Sequence, residues 1–213
     1  MRLETIVVGP FVVNCYVYGN EKTKEAVVID PGGDEEIVFE AIDRSQVTPL
    51  AILLTHGHGD HIASVDAVKK RFQIPLYASK ADANLMRNPS ELVNSFYGKH
   101  VYCPPADYSV TDEQLLTIGS IAFRVLSTPG HTPGSVCYLD EHEGVLFCGD
   151  TLFNGSIGRT DLPGGSYEQL INSIRTKILS LPDAIVCLPG HGPQTTVSAE
   201  RTNNPFLRDN YIV

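Results

Sequence analysis

The stretch that decides the reading of this chain is Leu53–Ala63, "LLTHGHGDHIA". An apolar run stops at Thr55, and His56, His58, Asp60 and His61 follow at once, interleaved with Gly57 and Gly59. "AILLT" reads as a buried strand and "IASVDAV" as a helix, so these side chains occupy a β-to-α turn, the edge of an open α/β sheet where ligands bind. The two glycines are expected to let the backbone fold tightly, so that His56 and His58 aim at one point and Asp60 and His61 at an adjacent one. Imidazole with carboxylate is a ligand set for zinc, iron or manganese.

Three further strand ends follow the same pattern: an apolar run, a glycine, then a ligand-type residue. "LSTPGHTPGS" carries His131, "VLFCGDTLF" carries Asp150 and "VCLPGHGP" carries His191. A single histidine at a strand end is usually structural. The pattern repeated at four ends is not explained by packing, which cheaper residues would serve. Asp150 has enough neighbours of the right chemistry to bridge two ions. His100 and His142 lie in polar loops and read as surface residues.

Outward from these motifs, "TIVV", "VVNCYVYG" and "EAVVIDPGG" read as strands, with Pro31-Gly32-Gly33 closing the third. "DEEIVFEAIDRS", "HIASVDAVKKRF" and "KADANLMRN" read as helices, and residues 89–105 as loop. "IAFRVLST", "SVCYLD", "GVLFCGD" and "AIVCLPG" are strands. "YEQLINSIRTKILSL" has helical apolar spacing, and "AERTNNPFL" a short helix. Strands lead each half and helices close it. The expectation is an α/β chain of two similar units whose sheets face each other with helices outside, one domain over residues 1–213.

Composition narrows the function classes. An apolar fraction of 42 % with 19 % charged residues is that of a globular chain. The net charge of −9 argues against nucleic acid, whose binding is driven by basic surface. No apolar stretch reaches the roughly 20 residues of a membrane span, and the N-terminus lacks a signal-peptide core. The five cysteines are odd in number, lie mostly in apolar runs and show no C-x-x-C spacing, which predicts reduced thiols and a cytoplasmic location.

The string "THGHGDH" with His131, Asp150 and His191 resembles the metallo-β-lactamase superfamily. Within it, "GDTLFNGSIGRTDLPGGS" and "ERTNNPFL" are similar to glyoxalase II and, more closely, to short bacterial glyoxalase II-like hydrolases. The resemblance spans Asp30 to His191 and implies an αββα sandwich of two mixed sheets. It implies two divalent metal ions, zinc first, with iron or manganese also compatible. His56, His58 and His131 would hold one ion, Asp60, His61 and His191 the other, and Asp150 would bridge them. Asp30 would orient a ligand imidazole, and Arg159 would hold a carboxylate of a glutathione conjugate.

The implied activity is a hydroxyacylglutathione hydrolase-like thioesterase acting on S-lactoylglutathione or a related acyl-glutathione. A metal-bound hydroxide, oriented by Asp60 as catalytic residue, would attack the carbonyl carbon. A thioester suits such a site because a thiolate with a pKa near 8.5 leaves without acid help. Two departures weaken the glutathione assignment: His191 is followed by Gly192-Pro193 rather than Glu-Tyr, and the helical extension that grips glutathione is missing. The alternatives are a persulfide dioxygenase, with one iron on two histidines and Asp150, and a hydrolase of another ester or a phosphodiester.

Overall fold

The computed structural model describes residues 1–208; residues 209–213, which the expected single domain includes, lie outside the described residues. The first sheet holds β1 (Arg2–Val8), β2 (Val13–Gly19), β3 (Glu25–Ile29), β4 (Thr48–Leu53), β5 (Leu76–Ser79) and β6 (Tyr108–Val110) in that spatial order. Its first three strands pair antiparallel and the rest parallel. Along it run α1 (Glu35–Ser45), α2 (Gly59–Ile62), α3 (Val65–Phe72), α4 (Ala83–Arg87) and α5 (Glu91–Tyr97).

The second half repeats the plan. It contains β7 (Leu115–Ile118), β8 (Ile121–Ser127), β9 (Val136–Asp140) and β10 (Val145–Gly149). A small hairpin of β11 (Leu152–Phe153) and β12 (Ser156–Ile157) follows, then α6 (Tyr167–Ser173), which widens into a π-helical turn over Ile174–Ile178. Then come β13 (Val186–Pro189), β14 (Thr195–Thr196), α7 (Val197–Asn203) and a 3-10 turn, Pro205–Leu207. The second sheet is ordered β14-β13-β10-β9-β8-β7, with only β13 and β10 parallel. Both sheets are mixed.

Side-chain alternation explains why the sheets face each other. In β2, Tyr16 and Tyr18 point to one core and Val13, Cys15 and Val17 to another. In β10, Phe147 joins the tyrosines while Leu146 and Cys148 pack with α6. A strand buried on both faces reads as a continuous apolar run, which is how these strands looked in sequence. The inter-sheet core is aromatic: Phe147 meets Tyr18 at 5.1 Å and Tyr16 at 5.3 Å, both edge-on. Its buried hydroxyls are satisfied, Tyr18 donating to Asp140 Oδ2 (2.8 Å) and Tyr138 to the Leu54 carbonyl (2.9 Å).

Two helical expectations change. The helix expected over His61–Phe72 is two helices, because the Ser64 amide donates to the Pro31 carbonyl (3.0 Å) rather than continuing the first. The segment expected to be loop contains α5. Its Ser90 hydroxyl caps Val93 N and its Gly98 closes the helix in the left-handed region. No residue of α5 is fully buried, and it packs against the core through Val93 and Tyr97 alone, a stripe too short to be found by periodicity.

Candidate metal centre

Every ligand-type residue stands just past the C-terminal end of a strand: Asp30 after β3, His56 after β4, His131 after β8, Asp150 after β10 and His191 after β13. The two sheets open at this edge, so five separate turns converge. Three groups have ligand atoms within 4.8 Å of one another: His56, His58 and His131; Asp60, His61 and His191; and Asp30, His56 and His61. Asp150 lies between the first two. Its Oδ2 is 3.6 Å from His131 Nε2 and 3.5 Å from His191 Nε2, and its Oδ1 is 3.4 Å from His61 Nε2.

The hydrogen-bond partners settle which nitrogen each ring presents. A carbonyl or carboxylate only accepts, so a ring nitrogen facing one carries the proton. His131 Nδ1 faces the Arg159 carbonyl (2.7 Å), His61 Nδ1 faces Asp30 Oδ2 (3.0 Å), and His191 Nδ1 faces the Val12 carbonyl (3.3 Å). Thr55 Oγ1 gives its single proton to Asp30 Oδ2 (2.6 Å), and so accepts from His56 Nδ1 at 3.1 Å. Four rings are therefore turned with Nε2 toward the centre. His58 alone presents Nδ1, 2.9 Å from His131 Nε2.

This arrangement leaves buried polar atoms outside any hydrogen bond, although His61 Nε2 and Asp150 Oδ1 approach each other at 3.4 Å. His56 Nε2, His61 Nε2 and Asp150 Oδ1 are buried and have no hydrogen-bond partner. Such atoms cost free energy unless a cation or water takes them up, and here they sit among imidazoles and carboxylates. The donor set fits metal ions. Asp30 does not belong to it: its oxygens accept from Thr55 N (2.8 Å), Thr55 Oγ1 and His61. It holds two imidazoles in position, His61 directly and His56 through Thr55.

The charges are mutually arranged. Burial, then the neighbouring imidazoles, push His56 well below the ordinary histidine range and His58 down to about 4. For His61, burial acts downward but is outweighed by Asp150 and Asp60, which hold it well above that range. Burial likewise works against the charge on Asp60 and Asp150. The imidazoles of His61 and His191 win, and both carboxyls stay below the usual carboxylate range.

The glycines act differently from expectation. Neither Gly57 nor Gly59 has a positive φ. They are required for space, because a Cβ on Gly57 would lie 2.9 Å from the Cβ of Asp82, and one on Gly59 would lie 2.6 Å from Val93 Cγ1. Asp82 is the residue that sequence reasoning missed. Buried at the start of α4, its carboxylate accepts from Gly57 N (2.9 Å), Gly134 N (2.7 Å) and Thr132 Oγ1 (2.7 Å). It joins the turn of His56 and His58 to the turn of His131. An aspartate in "KADANLM" carries no local signal of that role.

Arg159 stands on the rim. Its carbonyl fixes His131, while its guanidinium donates Nε and Nη2 to the two oxygens of Asp161, each at 2.7 Å. His142 is a surface residue, its side chain 92 % exposed.

The comparisons agree with this geometry. Residues 8–191 match the family described as the metallo-beta-lactamase superfamily. The chain is 38 % identical over 209 residues to the hydroxyacylglutathione hydrolase GloC of Haemophilus influenzae, covering 97 % of this chain and 98 % of that one. The crystal structure of the BLEG-1 B3 metallo-beta-lactamase superposes with a TM-score of 0.91 at 47 % identity, covering 97 % and 99 % of the two chains. TTHA1623 in a di-iron-bound form gives 0.85 at 36 %, covering 96 % and 100 %. With its two facing mixed sheets and its converging histidines and aspartates, this chain belongs to the metallo-β-lactamase superfamily as a metallo-hydrolase.

Proposed function

We propose that the protein is a two-metal thioesterase. His56, His58 and His131 would hold one ion and Asp60, His61 and His191 the other, with Asp150 between the two groups available to both. The observation that carries this reading is the set of buried, unpartnered atoms His56 Nε2, His61 Nε2 and Asp150 Oδ1. The intact second group, Asp60, His61 and His191, favours it over a mononuclear iron dioxygenase, which has no use for that group. Zinc, iron and manganese all suit the donors, and the di-iron form of TTHA1623 supports iron as a resident metal.

Bound ions supply a Lewis acid for a carbonyl oxygen and bring the pKa of water toward about 7. The chain's own groups do the rest. Asp60, with its side chain only partly exposed at the cleft floor, is placed to orient the attacking water and hold its proton. Asp30 and Thr55 keep His56 and His61 in one tautomer. Among the described residues lining the cleft there is no lysine or tyrosine to protonate an amine. A thiolate leaving group needs no such donor.

The GloC relative supports an acyl-glutathione as the first substrate to test. The free cysteines fit a reducing compartment, and among the described residues no helix is long and apolar enough to cross a membrane. The test is elemental analysis of purified protein with an S-lactoylglutathione assay before and after chelation. Close to two ions per chain and chelator-sensitive hydrolysis are expected; one ion per chain overturns the two-metal site. The likeness to BLEG-1 favours a second reading, β-lactam hydrolysis. A chromogenic cephalosporin turned over faster than the thioester would establish it instead.

A further inference from the structure

We propose that the preferred substrate is an uncharged thioester whose apolar acyl chain lies along the wall formed by Phe11, Leu85, Leu92 and Val93. This rests on the thioesterase reading and names its substrate class.

The cleft over the metal centre measures about 710 Å³. One side is built from α4, α5 and the turn before β2, the other from Phe153, Ile157 and Leu162. On the α5 side, Phe11 and Val93 rest on the first core, and with Leu85 and Leu92 they line the cleft beside Asn84, Asn88 and Ser90. The helix buries none of its residues, and Leu92 stays 65 % exposed. Val93 packs against Gly59, within the metal-site turn itself. Phe11 is braced edge-on against Phe96 at 5.0 Å and lies 6.2 Å from Tyr97, so the turn and the helix form one wall. Apolar surface continuous with a reacting centre gains free energy when an apolar chain covers it.

Charge points the same way. Among the described residues lining the cleft, Arg159 is the one guanidinium, and lysine is absent. Its fork is already filled by Asp161. A carrier with carboxylates, such as glutathione, meets Asp161 and must displace this internal partner to reach Arg159. An exposed ion pair is weak, so the discrimination is modest rather than absolute.

The experiment uses metal-loaded protein and four thioesters: propionyl and hexanoyl, each on glutathione and on neutral N-acetylcysteamine. Three added methylenes at about two- to fourfold each should raise kcat/KM for hexanoyl over propionyl by roughly tenfold or more. Leu92→Asn should remove much of that advantage, lowering kcat/KM for the hexanoyl thioesters by more than for the propionyl ones. Asp161→Asn should lower KM for the glutathione thioesters by about two- to fivefold and leave the neutral ones alone. Either glutathione thioester as the best of the four, or a hexanoyl advantage untouched by Leu92→Asn, overturns this proposal while the thioesterase reading stands. Hydrolysis of none of the four removes the thioesterase reading and this proposal with it.

Discussion

Oδ2 of Asp30 lies 3.0 Å from Nδ1 of His61, and the same oxygen accepts the hydroxyl of Thr55, which holds His56. One buried carboxylate thus orients an imidazole in each of the two candidate ion sites. Asp30 itself stands at φ 49°, a left-handed conformation that Asp and Asn tolerate better than most residues.

Asp30→Asn should therefore fold but bind metal less tightly. An amide offers one acceptor oxygen where the carboxylate offers two and a charge. Losing such an orienting partner weakens metal affinity by about 10- to 100-fold. Competition against a chromogenic chelator measures it; unchanged affinity at both sites means that His56 and His61 are positioned without Asp30.

Asp60→Asn separates chemistry from binding. Asp60 Oδ2 is 3.5 Å from His191 Nε2 and faces the cleft. The variant should lower kcat by roughly 10²-fold, the scale of losing a positioned catalytic group. Metal content and thermal stability are read on the same sample, so that loss of an ion is not mistaken for loss of catalysis. Full turnover in the variant would remove Asp60 from the mechanism.

Asp82 should prove a stability residue of the site. Asp82→Ala leaves two buried amides, Gly57 N and Gly134 N, without an acceptor. At about 1–3 kcal/mol for each orphaned donor, the loss is about 2–6 kcal/mol. For a chain of this size that lowers Tm by roughly 4–24 °C, measured by thermal unfolding of the apoprotein. Asp82→Asn, which keeps one acceptor, should fall between the two; an unshifted Tm in the alanine variant refutes the assignment.

The cysteines should be inert until the protein unfolds. All five are free and buried. Burial raises the Cys137 thiol to about 11 and those of Cys103 and Cys187 to about 12, and pushes Cys15 and Cys148 up as well. A raised pKa keeps each group as thiol at pH 8, and thiols are poor nucleophiles. Titration with a disulfide reagent at pH 8 should find almost no reaction in the native protein and five equivalents in denaturant. Rapid native reaction would show that the strands open.

The sequence alone determined the two-sheet architecture and the identities of the converging histidines and aspartates. Both are local properties. Apolar alternation marks a strand buried on two faces, and a glycine followed by His or Asp marks what its end presents. Even Asp30 was legible, because it closes the strand "AVVID". Tertiary structure alone decided the rest. Asp82 reaches partners 25, 50 and 52 residues away. The Val12 carbonyl that turns His191 is 179 residues from it. Gly57 is required by the Cβ and backbone carbonyl of Asp82 packed against it rather than by its own φ. The wall of α5 touches the core through Val93 and Tyr97 alone, too little to announce it, and Arg159 is filled by Asp161 through side-chain geometry. Periodicity reports which face of an element is buried. It carries no information about which distant donor or acceptor the folded chain brings to that face, since that depends on how the sheets and turns are stacked.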